Sequence, residues 1–124
     1  MACILIIEDE REIRANVRRF LALEGHEVLE AEDGIQGLEI ARTRGVALVL
    51  CDVMMPRLDG FAVLRALRAE PATARLPFVF ITASAERDAA ERALQEGADN
   101  YIVKPFDLRT LGKTIGRHLG SSGG

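Results

Sequence analysis

The 124 residues contain no tryptophan, and Tyr101 is the single tyrosine beside five phenylalanines. So few rings provide no stacking platform for bases, and a net charge of −3 supplies no basic surface for a phosphate backbone. Direct nucleic-acid binding is therefore not expected. Long apolar runs are also missing: stretches such as residues 2–7 and 46–51 fall far short of the roughly 20 residues that a membrane-spanning helix needs. The apolar start lacks a basic leader and runs directly into Glu8-Asp9-Glu10-Arg11, unlike a secretory signal. The expectation is a cytoplasmic protein with no membrane contact. Two cysteines are too few for a disulfide framework or a thiolate metal cage. The length accommodates one core and little more.

Order along the chain says more. Five strand-length runs, at 3–7, 26–30, 47–51, 77–81 and 101–103, are rich in Ile, Val, Leu and Phe, and three are apolar almost throughout, as strands covered on both faces are. Between them lie segments of helical period. Ile13, Val17, Phe20 and Leu21 share one face of the first, with Arg11, Arg14, Arg18 and Arg19 largely opposite. Ile35, Leu38 and Ala41 mark the second, and Phe61, Leu64 and Leu67 the third. Ala90, Ala93, Leu94 and Gly97 mark the fourth, and Leu108, Leu111, Ile115 and Leu119 the fifth. Gly25, Gly45 and Gly97 are placed to end helices in the left-handed conformation. The pattern is βα repeated five times, which implies an α/β fold with a parallel sheet and helices on both faces. Residues 1–119 form this domain, and 120–124 (Gly-Ser-Ser-Gly-Gly) read as a flexible tail or linker stub.

In such sheets the binding crevice lies beyond the carboxyl ends of the strands. Glu8 and Asp9 end the first strand, Asp52 the third and Thr82 the fourth, and Lys104 follows the fifth. Any one of these has a bland reading: Asp9 as a helix cap, Thr82 as a loop hydroxyl, Lys104 as a solvated charge. Placed together, they make a rim of carboxylates that needs protonation or a cation. Oxygen ligands without His or thiolate suit Mg²⁺, which keeps several waters and accepts a phosphate oxygen. With repulsion offset, a carboxylate can attack phosphorus while Lys104 and Thr82 meet the charge on the phosphoryl oxygens.

The pair Glu8-Asp9, the run Asp52-Val-Met-Met-Pro-Arg-Leu-Asp-Gly60, Thr82-Ala83 and Lys104-Pro105-Phe106 resemble the receiver domain of two-component response regulators. The spacings agree: 43 residues from Asp9 to Asp52, 30 from Asp52 to Thr82 and 22 from Thr82 to Lys104. The resemblance implies the doubly wound strand order 2-1-3-4-5, with Asp52 as phosphoacceptor. It implies Mg²⁺ held by Glu8, Asp9, Asp52 and the Met54 carbonyl, and phosphoryl oxygens held by Thr82, the Ala83 backbone and Lys104. It further implies a cis Lys104–Pro105 bond and a switch in which Thr82 and Tyr101 move together. Met54 and Ser84 occupy the positions that tune loss of the phosphoryl group, and Met54 has no strong polar group to orient a water, which implies slow self-dephosphorylation.

The partners implied are a histidine kinase or histidine phosphotransfer protein as donor, aided by the arginine-rich first helix, and a downstream target or fused output domain. Output and homodimer contacts would use the surface of the fourth helix, fifth strand and fifth helix. Gly112, Gly116 and Gly120, spaced by four, leave a stripe open to a partner helix or to simple fraying. Phosphoryl transfer is then self-catalysed, and the chain is not expected to be an enzyme in the useful sense. A Mg²⁺-dependent phosphohydrolase with an aspartyl nucleophile is the alternative, yet Met54 stands where such enzymes commonly carry a second Asp. A flavodoxin-like cofactor carrier is disfavoured because Glu8-Asp9-Glu10 would repel a phosphate. A receiver-like scaffold that takes no phosphate is a further alternative.

Overall fold

The computed structural model describes residues 2–119 with their side chains and closes its last helix at Gly123; the tail expected at 120–124 lies outside the residues so described. The chain alternates β1 (Cys3–Ile7), α1 (Arg11–Leu23), β2 (Glu27–Ala31), α2 (Gly34–Thr43), β3 (Leu48–Asp52), α3 (Gly60–Ala69), β4 (Phe78–Thr82), α4 (Arg87–Ala93), β5 (Asn100–Val103) and α5 (Leu108–Gly123). All strand pairs are parallel, in the order β2-β1-β3-β4-β5. The expected α/β doubly wound sheet is present.

The central strands explain why the sheet needs two layers of helices. Every residue of β3 and β4 is buried, and alternate side chains enter two separate cores. Leu5, Ile7, Val49, Cys51, Phe78 and Phe80 meet α2, α3 and α4 on one face. Ile4, Ile6, Leu48, Leu50, Val79 and Ile81 meet Val17 and Leu21 of α1 and Leu111 and Ile115 of α5 on the other. Aspartates at their N-caps set the starts of three helices: Asp33 accepts from the Gln36 N–H at 2.8 Å, Asp59 from Ala62 at 2.9 Å and Asp107 from Thr110 at 2.7 Å. At α1 the capping residue is Glu10, and its side chain makes no capping bond. The cap reading of Asp9 is thus not what the structure shows.

Several expectations shift by a small amount. β2, β3 and β4 each run one residue later than the apolar runs suggest, and Asp52 and Thr82 are, as expected, the last residues of β3 and β4. Across β1 and β3, Ile7 pairs with Cys51, which puts Glu8 level with Asp52. Both cysteines are free, and Cys51 lies four residues along from the level of Cys3. That is about 13 Å at ~3.3 Å per residue, beyond disulfide reach. Gly25 (φ 92°) and Gly97 (φ 122°) end α1 and the 3-10 turn after α4 in the left-handed region, whereas Gly45 has no positive φ. α4 is short, seven residues between two 3-10 turns. Of the glycine stripe, a Cβ at Gly112 would stand 3.1 Å from the Phe20 ring of α1, so an internal neighbour already occupies that position. A Cβ at Gly116 would meet open space, and Gly120 lies outside the residues described with side chains.

Candidate phosphoryl and metal site

The parallel register delivers the chemistry to one rim. β1 and β5 end immediately before Glu8 and Lys104, while β3 and β4 end at Asp52 and Thr82. The Lys104 Nζ stands 3.0 Å from Asp52 Oδ2, 3.2 Å from Glu8 Oε1 and 3.4 Å from Glu10 Oε1. One ammonium thus faces three carboxylates. Burial alone would lower the Lys104 pKa, but the hydrogen bond to Asp52 and the charges of Asp52 and Glu8 outweigh it and hold the lysine above its ordinary value.

Glu8 is fully buried, and its two oxygens are treated differently. Oε2 accepts the Glu10 N–H at 3.0 Å. Oε1 lies within ion-pair distance of Lys104 but not aligned for a hydrogen bond, which leaves a buried carboxylate oxygen without one. Burial, reinforced by the contact with Asp52, pushes the Glu8 carboxyl up to about 8. Oxygens of Glu8, Glu10 and Asp52 lie within 4.8 Å of one another. An unbonded buried oxygen in an all-carboxylate set is what a hard divalent cation accepts, so these residues fit Mg²⁺. Asp9 is exposed and stands outside this group.

Local backbone chemistry holds the rim in shape. Arg14 donates through Nη1 to the Glu8 carbonyl at 2.8 Å and through Nε to Glu30 at 3.2 Å, which pins the end of β1 to β2. Arg14 is therefore not on a solvated face, as its helical position suggested. At Gly60 a Cβ would stand 2.3 Å from the Asp52 carbonyl oxygen, so only glycine lets α3 start against the backbone of Asp52. The Lys104 N–H donates to the Thr82 carbonyl at 2.8 Å, and the Lys104–Pro105 bond is cis.

The remaining predicted residues are less tightly gathered. Thr82 is buried, and its hydroxyl donates to the Ala83 carbonyl at 3.0 Å. The Met54 side chain is 59% exposed on the loop after β3, and Ser84 is exposed in the turn after β4. Tyr101 is half-buried against the α2-α3-α4 core, and its hydroxyl meets Arg87 of α4, which raises that arginine's pKa.

Two features went unread in the sequence. Glu10 joins the lysine; with Asp9 beside it as the apparent cap of α1, nothing in the sequence singled it out. An apolar groove of about 630 Å³ runs between α1 and the segment after β5, with Ile13, Val17, Phe20, Leu23 and Phe106 along it and Glu10 and Lys104 at one end. Leu23 there is 82% exposed, a cost that the helical period of α1 alone does not explain.

The model of the response regulator receiver domain matches residues 4–116. The response regulator MprA of Mycobacterium leprae is 45% identical over 109 residues, which are 87% of this chain and 46% of that protein. The chain thus spans about half the length of the curated relatives it matches. Among solved structures, a response regulator receiver domain protein from Clostridium thermocellum superposes with a TM-score of 0.91 at 30% identity, covering 98% of this chain and 97% of that one. The receiver domain of NtrX from Brucella abortus gives a TM-score of 0.88 at 34% identity, covering 94% and 98%. The chain belongs to the response regulator receiver domain family of two-component systems.

Proposed function

We propose that this receiver accepts a phosphoryl group on Asp52 from a phosphohistidine of a histidine kinase or histidine phosphotransfer protein. The observation that carries the reading is the Lys104 ammonium 3.0 Å from a buried Asp52 carboxylate, beside the unbonded oxygen of Glu8. An Asp52 oxygen forms the new bond to phosphorus as the bond from phosphorus to the leaving nitrogen breaks, and the imidazole departs with that electron pair. Lys104, the Thr82 hydroxyl and the Ala83 N–H then hold the three phosphoryl oxygens. Glu8 and Asp52 would hold Mg²⁺, joined as the resemblance implies by the Met54 carbonyl and Asp9, and the ion would offset the negative charge of the carboxylates and of the incoming phosphate. Transfer is self-catalysed and modifies the chain's own Asp52, so the chain is not an enzyme in the useful sense.

For Thr82 to reach a phosphoryl oxygen, its hydroxyl must leave the Ala83 carbonyl. Tyr101 pairs with Phe80 across β4 and β5, two residues before Thr82 along β4, and contacts α4 through Arg87. The same displacement is therefore read on the α4-β5-α5 surface, by a target protein, a fused output domain or a second copy. The donor docks along α1, whose exposed Arg11, Arg18 and Arg19 and apolar groove lead to Lys104. Exposed Met54 offers no donor or acceptor to an attacking water, so the acyl phosphate is long-lived. No helix among the described residues is long and apolar enough to cross a membrane, and a cytoplasmic site of action fits the donor class.

Incubation with acetyl phosphate and Mg²⁺ tests the reading by intact mass. Wild type gains one phosphoryl group, with acetate leaving, and Asp52→Asn gains none; no gain in wild type overturns it.

A further inference from the structure

Three helices in this fold are started by an aspartate whose carboxylate bonds the helix's own N–H, at Asp33, Asp59 and Asp107. Glu10 holds the same place on α1 and does not cap. Its Oε1 goes instead to Lys104 at 3.4 Å, and its side chain is 60% exposed against 18% for the lysine. The carboxylate thus stands at the mouth of the site, at the end of the α1 groove, between solvent and the ammonium that faces Asp52.

We infer that Glu10 is a positioning residue that acts through Lys104, a fixed negative charge at the rim that draws cations in and holds anionic donors back. The inference rests on the reading of Asp52 as phosphoacceptor. Its physics has two parts with opposite consequences. A negative charge a few ångströms from Glu8 and Asp52 raises the local concentration of a divalent cation. The same charge repels a small anionic phosphodonor, and it competes with the phosphoryl oxygens for Lys104. One elementary charge at such a distance, screened by water, changes an affinity or a rate by about fivefold. A protein donor seated on the groove would lie over Glu10 and shield it, so the penalty falls on small anionic donors in solution.

The test uses Glu10→Gln, the charge-conserving Glu10→Asp, and Glu96→Gln, which removes the same charge from an exposed position ahead of β5 on the opposite rim. Mg²⁺ affinity is read from the rise in thermal midpoint on titration, and the rate with acetyl phosphate is read by mass at saturating Mg²⁺. Glu10→Gln is expected to need about threefold more Mg²⁺ for half-saturation, yet to be phosphorylated about fivefold faster, the rate gap closing at about 1 M salt. Glu10→Asp and Glu96→Gln stay within about twofold of wild type in both. A merely structural role would weaken binding and rate together. That outcome, or Glu10→Gln equal to wild type while wild type gains mass, overturns the role of Glu10 and leaves Asp52 intact. No mass gain in wild type removes both.

Discussion

At the amino-terminal rim of the sheet, Arg68 donates to the Gly97 carbonyl through Nε and Nη2 at 2.9 and 2.8 Å, to Leu76 at 2.7 Å and to Thr73 at 3.3 Å. Its ion partner there, Asp99, also accepts the Phe78 N–H at 2.8 Å. At the carboxyl rim, Lys104 faces three carboxylates and leaves a buried Glu8 oxygen unbonded. Both cations are largely covered by protein, but one is surrounded by neutral carbonyls that need a donor, the other by negative charge in excess of its own. Burial lowers the pKa of Arg68, while the carboxylates raise that of Lys104. The contrast teaches where to look for function in a symmetric-looking fold. A satisfied cation fastens loops together, and an overcommitted one marks a site that a further cation and anion would complete.

The largest effect expected is at the satisfied rim. Arg68→Ala strips three carbonyls of their donor and is expected to lower stability by about 2–4 kcal/mol in urea unfolding. The Mg²⁺-dependent gain in thermal midpoint should survive in it, and a loss below about 0.5 kcal/mol would erase the distinction between the rims. Gly60→Ala sharpens the other side. Its Cβ would stand 2.3 Å from the Asp52 carbonyl, so a cost of about 1–3 kcal/mol is expected, together with slower phosphorylation as Asp52 is displaced. Unchanged phosphorylation in that variant would show that α3 does not set the position of Asp52.

A smaller effect is expected from pH. The Glu8 carboxyl, at about 8 in the metal-free fold chiefly through burial, has an ordinary value of 4.5 when unfolded. Between those values the folded state keeps a proton that the unfolded chain has released, so metal-free stability falls as pH rises from 4.5 to about 8 and levels off above. Mg²⁺ requires the ionised carboxylate, and its stabilisation should grow over the same window. Thermal melts with and without Mg²⁺ at about pH 6 and pH 9 check the sign; a larger Mg²⁺ effect at the lower pH would contradict it.

The fold was legible because β-branched runs and helical faces alternate without ambiguity. Its boundaries slipped by one residue where a polar side chain closes an apolar strand. The apolar runs stop at Cys51 and Ile81, whereas the ladder continues one residue further, with Asp52 paired to Ile81 and Thr82 to Val103. Glu8, Asp52, Thr82 and Lys104 were legible as a group because strand ends in a parallel sheet converge whatever the helices do. Glu10, Arg14 and Arg68 were not. Their roles depend on where a long side chain reaches after packing, and periodicity reports only the face from which it starts.

The central claim is that the carboxyl rim holds more negative charge than Lys104 can balance. Its most direct test is the thermal midpoint of wild type and Asp52→Asn, titrated with Mg²⁺ near pH 7. The account predicts that wild type rises with Mg²⁺, whereas Asp52→Asn begins higher without metal and barely responds. A wild type indifferent to Mg²⁺, or an Asp52→Asn that begins lower, would contradict it.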